Sequence, residues 1–216
     1  MHLTTLSFPD ITLRKSDGHK LRGYFANTFG QDSDLYHNHR EDGSSIYRYP
    51  RIQFKVVDSC PMVVGLDDGA KLLIDRFLSL TEIRIMERRY DLHQKQLQSQ
   101  DVKLGVQDEL FSYTFMTPWM ALNQKNHTLF KKQTHEEKRQ LLKRILIGNI
   151  LSVYKAMSHM ETESILVKPS LTPIQTNFKN QLMISFTGSF VTNAYLPDYI
   201  GLGKSVARGF GTIKQQ

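Results

Sequence analysis

Apolar residues change their period several times along the first ninety positions. Leu3, Leu6, Phe8, Ile11 and Leu13 predict a first strand, broken by Pro9, before the turn Lys15-Ser16-Asp17-Gly18. From His19 to Phe29, Leu21, Tyr24, Phe25, Thr28 and Phe29 recur at helical spacing, and Gly30 closes that helix. A polar stretch from Gln31 to Asp34 leads into Tyr36-His37-Asn38-His39, and the composition of Arg40 to Ser45 is that of a turn. Tyr49 to Val57 gives the clearest strand: Ile52, Phe54 and Val56 alternate with Arg51, Gln53 and Lys55, predicting one buried face and one basic face. Asp58 to Pro61 turns the chain, and Met62 to Leu66 returns as a strand. A helix opens at Asp67-Asp68-Gly69, its carboxylates at the positive end of the dipole, with Leu72, Leu73, Phe77 and Leu78 as its stripe. Glu82 to Tyr90 is expected as the fourth strand. The order β-α-β-β-α-β is that of a ferredoxin-like unit.

Residues 93–105 are polar and Gln-rich and are read as a linker between a domain of residues 1–92 and another of 106–216. The second half starts like the first. Phe111, Tyr113 and Phe115 alternate as a strand ending at Pro118-Trp119, and the longest helix begins at a Thr134/Glu137 capping box. Leu141, Leu142, Ile145, Leu146, Ile150, Leu151 and Tyr154 form its apolar stripe, with Lys138, Arg139, Lys143 and Arg144 on the other side. Ile165 to Val167, Gln181 to Phe190 and Phe210 to Ile213 add strands, and no second helix is evident. The expected fold class is therefore α+β: tandem ferredoxin-like (RRM-like) domains, the second degenerate, with a Gly-rich loop near the C-terminal end.

Composition narrows the partners. With 216 residues, 40% hydrophobic and 23% charged, the chain is an ordinary globular protein, and its net charge of +7 favours an anionic partner. The lone cysteine, Cys60, excludes an internal disulfide and a cysteine zinc cluster, and suits a reducing cytoplasm. The residues after Met1 lack the pattern of a signal peptide, and no apolar run reaches the ~20 residues of a membrane span, so no membrane partner is expected.

Two places can carry chemistry. Gly201-Leu202-Gly203-Lys204-Ser205-Val206-Ala207-Arg208-Gly209-Phe210-Gly211 sets two Gly-apolar-Gly units around Lys204, Ser205 and Arg208. Such a loop can turn amides toward a phosphate, and the two cations add the matching charge. It is no Walker loop, because Asp198 stands where that pattern needs glycine. Upstream, His37 and His39 are the one histidine pair close enough to act together, with Tyr47 following. Imidazole gives and takes protons near neutral pH. RNA cleavage by its own 2′-OH needs a base, an acid and a group that steadies charge on phosphorus, and two histidines, a tyrosine and a nearby cation meet that list without metal or other cofactor. No Cys or Glu at ligand spacing makes the pair a zinc site. The plain alternatives are surface histidines and, for Arg51 and Lys55, a solvated strand face.

Gly201-x-Gly203-x5-Gly209-x-Gly211, with Leu202 and Phe210 inside the two units, resembles the C-terminal signature of the repeat-associated mysterious protein (RAMP) superfamily of CRISPR systems. Leu35-Tyr36-His37-Asn38-His39 with Tyr47 looks like the active-site region of one branch, the endoribonucleases that cut CRISPR repeat transcripts into guide RNAs. That resemblance implies metal-independent cleavage by 2′-OH attack, leaving a 2′,3′-cyclic phosphate and a 5′-hydroxyl. His37 and His39 would be the acid/base pair and Tyr47 would orient or stabilise the phosphate. Gly201, Gly203, Lys204, Ser205, Arg208, Gly209 and Gly211, together with Lys20, Arg22, Arg51 and Lys55, would contact RNA. Relatives often carry a lysine shortly before the histidines, whereas residues 23–36 here contain none; Lys20, Arg22 or Lys55 are the substitutes in the sequence. The implied partner is CRISPR repeat RNA, with effector-complex subunits as further candidates, and the protein is expected as a monomer or homodimer. The rival reading is a non-catalytic RNA-binding subunit of an effector complex, for which two titrating imidazoles beside a tyrosine would serve no purpose.

Overall fold

A computed structural model describes residues 1–31, 33–36, 48–178 and 180–216. The chain divides into two units, the first comprising Met1–Lys103 with Val206–Gly209 and the second Leu104–Ser205 with Phe210–Gln216.

In the first unit the strands are β1 (His2–Ser7), β2 (Ile52–Val57), β3 (Cys60–Leu66), β4 (Glu82–Ile85), β5 (Arg88–Asp91) and β6 (Gln96–Asp101), and the helices are α1 (Gly18–Phe29) and α2 (Asp68–Arg76). β2, β3, β1 and β6 pair in that order, all antiparallel, which is the ferredoxin-like order. Leu21 and Phe25 of α1 and Leu73 of α2 are buried in one core with Ile52, Phe54, Val56 and Val63 of the sheet. Phe25 anchors that core, with its ring centroid 5.2 Å from Phe54 and 5.6 Å from Phe29.

Three expectations change here. The fourth strand of the sheet is β6, inside the stretch read as a linker, and it pairs with β1 from His2↔Asp101 to Ser7↔Gln96. Glu82 to Tyr90 is no single sheet strand: β4 and β5 form a separate two-stranded hairpin around Met86, which holds φ 56° without a glycine to advertise the turn. Leu78, placed on the α2 stripe, is 83% exposed beyond the end of that helix.

The second unit holds β7 (Gly105–Phe115), α3 (Gln124–Lys132), α4 (His135–Ala156), β8 (Val167–Phe178), β9 (Gln181–Tyr195) and β10 (Ile213–Gln215). Its sheet order is β10-β7-β9-β8, the first unit's order again. The capping box forms as expected: the Glu137 amide donates to Thr134 Oγ1 at 3.4 Å and the Thr134 amide to Glu137 Oε2 at 2.8 Å. Leu141, Leu142, Leu146, Ile150 and Tyr154 are buried, while Leu151 is 41% exposed, so the stripe is narrower than predicted. Pro169 and Pro173 are tolerated because β8 is an edge strand. Tyr113, Phe115, Trp119, Phe186 and Phe190 pack as an aromatic core, with Phe115 stacked on Trp119 at 5.3 Å and the indole Nε1 donating to Asn149 Oδ1 at 3.0 Å.

Candidate active site

His37, His39 and Tyr47 lie outside the described residues; the positions on either side of them are described, and both belong to the first unit. Tyr36 is fully buried, its ring 5.8 Å from Phe29 and 6.4 Å from Phe25. On the far side, Arg48 donates through a terminal guanidinium nitrogen to Asp34 Oδ2 at 3.0 Å. An ion pair thus joins residue 34 to residue 48. Neither Asp34 nor Arg48 stands out in the sequence, because opposite charges 14 positions apart carry no local pattern by which to find them.

Lys20 and Arg22 stand on α1 in the same unit. Lys20 pairs with Asp17 at 2.8 Å. Burial alone would raise the Asp17 carboxyl; the Lys20 hydrogen bond and charge, with the Arg14 amide, outweigh it and hold Asp17 below the usual carboxylate range. Arg22 is half-buried, and burial first, then the charge of Arg208, pushes its guanidinium below its ordinary value. Two guanidinium groups within electrostatic reach repel each other, and an anion bound beside both would offset that repulsion. Such a pair suits a phosphate or a developing phosphorane.

The glycines explain why Arg208 stands there. Val206–Arg208 is a short 3-10 turn closed by the Gly209 amide donating to the Val206 carbonyl at 3.0 Å. Gly209 has φ +90°, and a Cβ on it would come within 2.9 Å of the Phe54 carbonyl of β2. A side chain there would push the turn off β2 and carry Arg208 away from Arg22. In the second unit, Gly203 at φ +87° leaves no room for a Cβ, which would lie 2.7 Å from the Trp119 indole nitrogen. Gly201 and Gly211 are buried, with Gly201 bridged to Thr212.

The loop amides do less for an anion than the sequence suggested. The Leu202 amide donates to Gly211, Lys204 to Met120 and Gly211 to Pro118, at 2.9 to 3.1 Å. These donors are spent on the fold. What the loop exposes is side-chain chemistry: Lys204 is exposed, and Ser205 is half-buried with φ 58°.

The expectation for Lys55 is corrected, and Arg51 is found in an ion pair. Lys55 is fully buried along with Gln53, so the second face of β2 is covered and not a basic surface. Burial holds the Lys55 ammonium down to about 7. Arg51 is only partly exposed and is engaged by Asp67, which also accepts the His2 amide at 2.8 Å. That arrangement fastens the start of α2 to β1 and β2.

Comparison with known proteins covers the full chain. The family model of the Cas6b N-terminal domain matches residues 1–103, and that of the Cas6b C-terminal domain matches residues 105–216. A crystal structure of Cas6b is 37% identical with a TM-score of 0.95, covering 100% of this chain and 99% of that one. Another, of the CRISPR RNA processing endoribonuclease Cas6b, is 35% identical with a TM-score of 0.79, covering 100% of both. An uncharacterised protein of Methanocaldococcus jannaschii is 35% identical over 114 residues, 51% of this chain and 76% of its own length.

Proposed function

This chain belongs to the Cas6b family, and we propose on that footing that it is an endoribonuclease that cuts CRISPR repeat RNA. The observation that carries the reading is the full-length likeness to a CRISPR RNA processing endoribonuclease, together with the family's two domain models meeting near residue 104. The paired guanidinium groups of Arg22 and Arg208 support it locally, since an RNA phosphate is the ligand that such a pair suits.

The reaction is a transesterification. One histidine of the His37/His39 pair takes the proton from the 2′-hydroxyl, whose oxygen attacks the adjacent phosphorus. The other protonates the departing 5′-oxygen, leaving a 2′,3′-cyclic phosphate and a 5′-hydroxyl. Tyr47 orients the phosphate, and Arg22 with Arg208 steadies its extra charge. Arg22 takes the place of the lysine common in relatives, because Lys55 is buried and Lys20 is held by Asp17. Lys204 holds backbone phosphates as a point charge. Among the described residues no helix is long and apolar enough to cross a membrane. The enzyme acts in the cytoplasm, as a monomer or homodimer.

The test is cleavage of a cognate repeat RNA in excess EDTA by wild type, His37→Ala and His39→Ala, with a second substrate carrying one 2′-deoxynucleotide at the cut site. The expected result is a single cut by wild type, an intact deoxy substrate, and losses of ~10²-fold or more for each variant. Tight binding without cleavage would mean a binding subunit. A requirement for divalent metal would overturn the mechanism.

A further inference from the structure

Beside the Arg22–Arg208 pair, but on a different flank of α1, lies an open groove of ≈580 Å³ between that helix and the β4–β5 hairpin. We infer that this groove is a subsite for a single-stranded stretch of the substrate RNA, holding one or two nucleotides next to those at the cut; the inference rests on the endoribonuclease reading above.

Four observations lead there. The first is a glycine that the protein itself does not need. Gly23 lies in the middle of α1, where glycine is among the least favourable residues, and a Cβ on it would meet nothing within 4 Å. Neither close packing nor positive φ accounts for it. Gly23 lines the groove, so a side chain there would occupy the space a ligand would use.

The second is the chemistry of the walls. Lys20, paired with Asp17 at 2.8 Å, stands on the α1 side, and Arg84, 61% exposed, on the hairpin side. Glu82 between them is neutralised by Arg84 at 2.7 Å and Arg89 at 2.9 Å. Each rim thus carries a cation that a phosphodiester can engage in exchange for its carboxylate partner.

The third is the floor. Tyr24 donates its hydroxyl to the Glu82 carbonyl at 2.7 Å, which fixes the ring at the groove. Met86, 75% exposed at the hairpin turn, adds a flexible apolar side chain. An aromatic ring and a thioether below, with Asn27 and Thr28 as polar edges, match an unstacked base.

The fourth is continuity with the candidate active site. At about 100° per residue around the helix, Gly23 and Ala26 lie between the Arg22 flank and the Lys20–Asn27 flank. They are the smallest side chains on that side of α1, and they leave a low crossing from the paired guanidinium groups into the groove.

The experiment compares wild type with Gly23→Gln, and uses Gly148→Gln as the matched control. Gly148 in α4 is likewise helical with nothing within 4 Å, but it lies outside this groove. Kd for repeat RNA, single-turnover cleavage, base-resolved chemical footprints and thermal midpoints are measured for each. Both variants are expected to melt at or above the wild-type temperature. Gly23→Gln alone should weaken RNA binding ~10-fold or more and lose protection at one or two unpaired nucleotides beside the cut. Arg84→Glu should lose the same protection without filling the groove. Wild-type binding, cleavage and footprint retained in Gly23→Gln overturn the groove assignment and leave the enzyme reading standing, as would a groove that proves to take a protein instead. Wild type that neither binds nor cuts repeat RNA overturns both.

Discussion

The two units share a strand order and part ways after the third strand of each. In the first, α2 crosses from β3 toward the last strand of the sheet and buries Leu73 in the core. In the second, β9 and β10 are joined by no helix of α type among the described residues; the connection runs through Leu196, Ile200 and Leu202, all fully buried, and the glycine loop. The ferredoxin-like sheet therefore does not require its second helix. Burial can come from an irregular segment if its backbone hydrogen bonds are met, as at Leu202, Lys204 and Gly211. A chain path of this kind also sets Arg208 on a short turn, where a helix would have placed a regular array of side chains.

If the aromatic cluster takes over the work of that missing helix, truncating it should hurt the second unit most. Trp119→Ala is expected to cost ~3–5 kcal/mol, from a fully buried indole stacked on Phe115. Urea unfolding with hydrogen exchange resolved by unit would check this; equal loss of protection in the two units would break the comparison.

The units should also respond to pH in separate windows. Lys55 in the first has a folded pKa near 7, below its ordinary 10.5, so the unfolded chain binds the extra proton between those values. Stability should rise with pH from about 7 to 10.5, by at most ~1.4 kcal/mol per pH unit, and Lys55→Met should flatten that rise. In the second unit, the Glu163 and Val106 amides and His159 hold the Glu161 carboxyl down to about 2. Its contribution is present above the ordinary carboxylate range and is lost as pH falls through about 2. Glu161→Gln should cost ~1–3 kcal/mol at neutral pH, read from chemical denaturation. Smallest of the set, Thr134→Ala should remove ~1 kcal/mol by opening the capping box of α4.

The sequence disclosed most where one residue pattern served one local structure. The Thr134/Glu137 box, the His19–Phe29 periodicity and the Ile52/Phe54/Val56 alternation each marked their element. It disclosed least where pairing is made by backbone alone. Gln96–Asp101 carries only one apolar residue, Leu97, because an edge strand needs neither face fully covered. The same alternation that revealed β2 misled about Lys55, since a period of two reports which side chains are apolar and is blind to what covers the polar ones. α3 buries only Phe130 and has its clearest signal in the Asn123 cap. For the candidate site, Arg22 and Arg208 lie far apart in the sequence, and their proximity depends on Gly209 packing against β2. His37 and His39 stand as a pair in the sequence and lie outside the described residues.

Val206–Gly209 belongs to the first unit although it comes after nearly the whole of the second in sequence. On the ribosome, the first unit is therefore unfinished when Lys103 emerges, and it waits about 100 further residues for its last piece, a delay on the order of 5–20 s at common elongation rates. During that interval the β2 and α1 backbone that later receives the Arg208 turn has no native cover. An N-terminal half made by itself would lack that turn, so a cut near residue 104, clean in the linear sequence, leaves the first unit without its last piece.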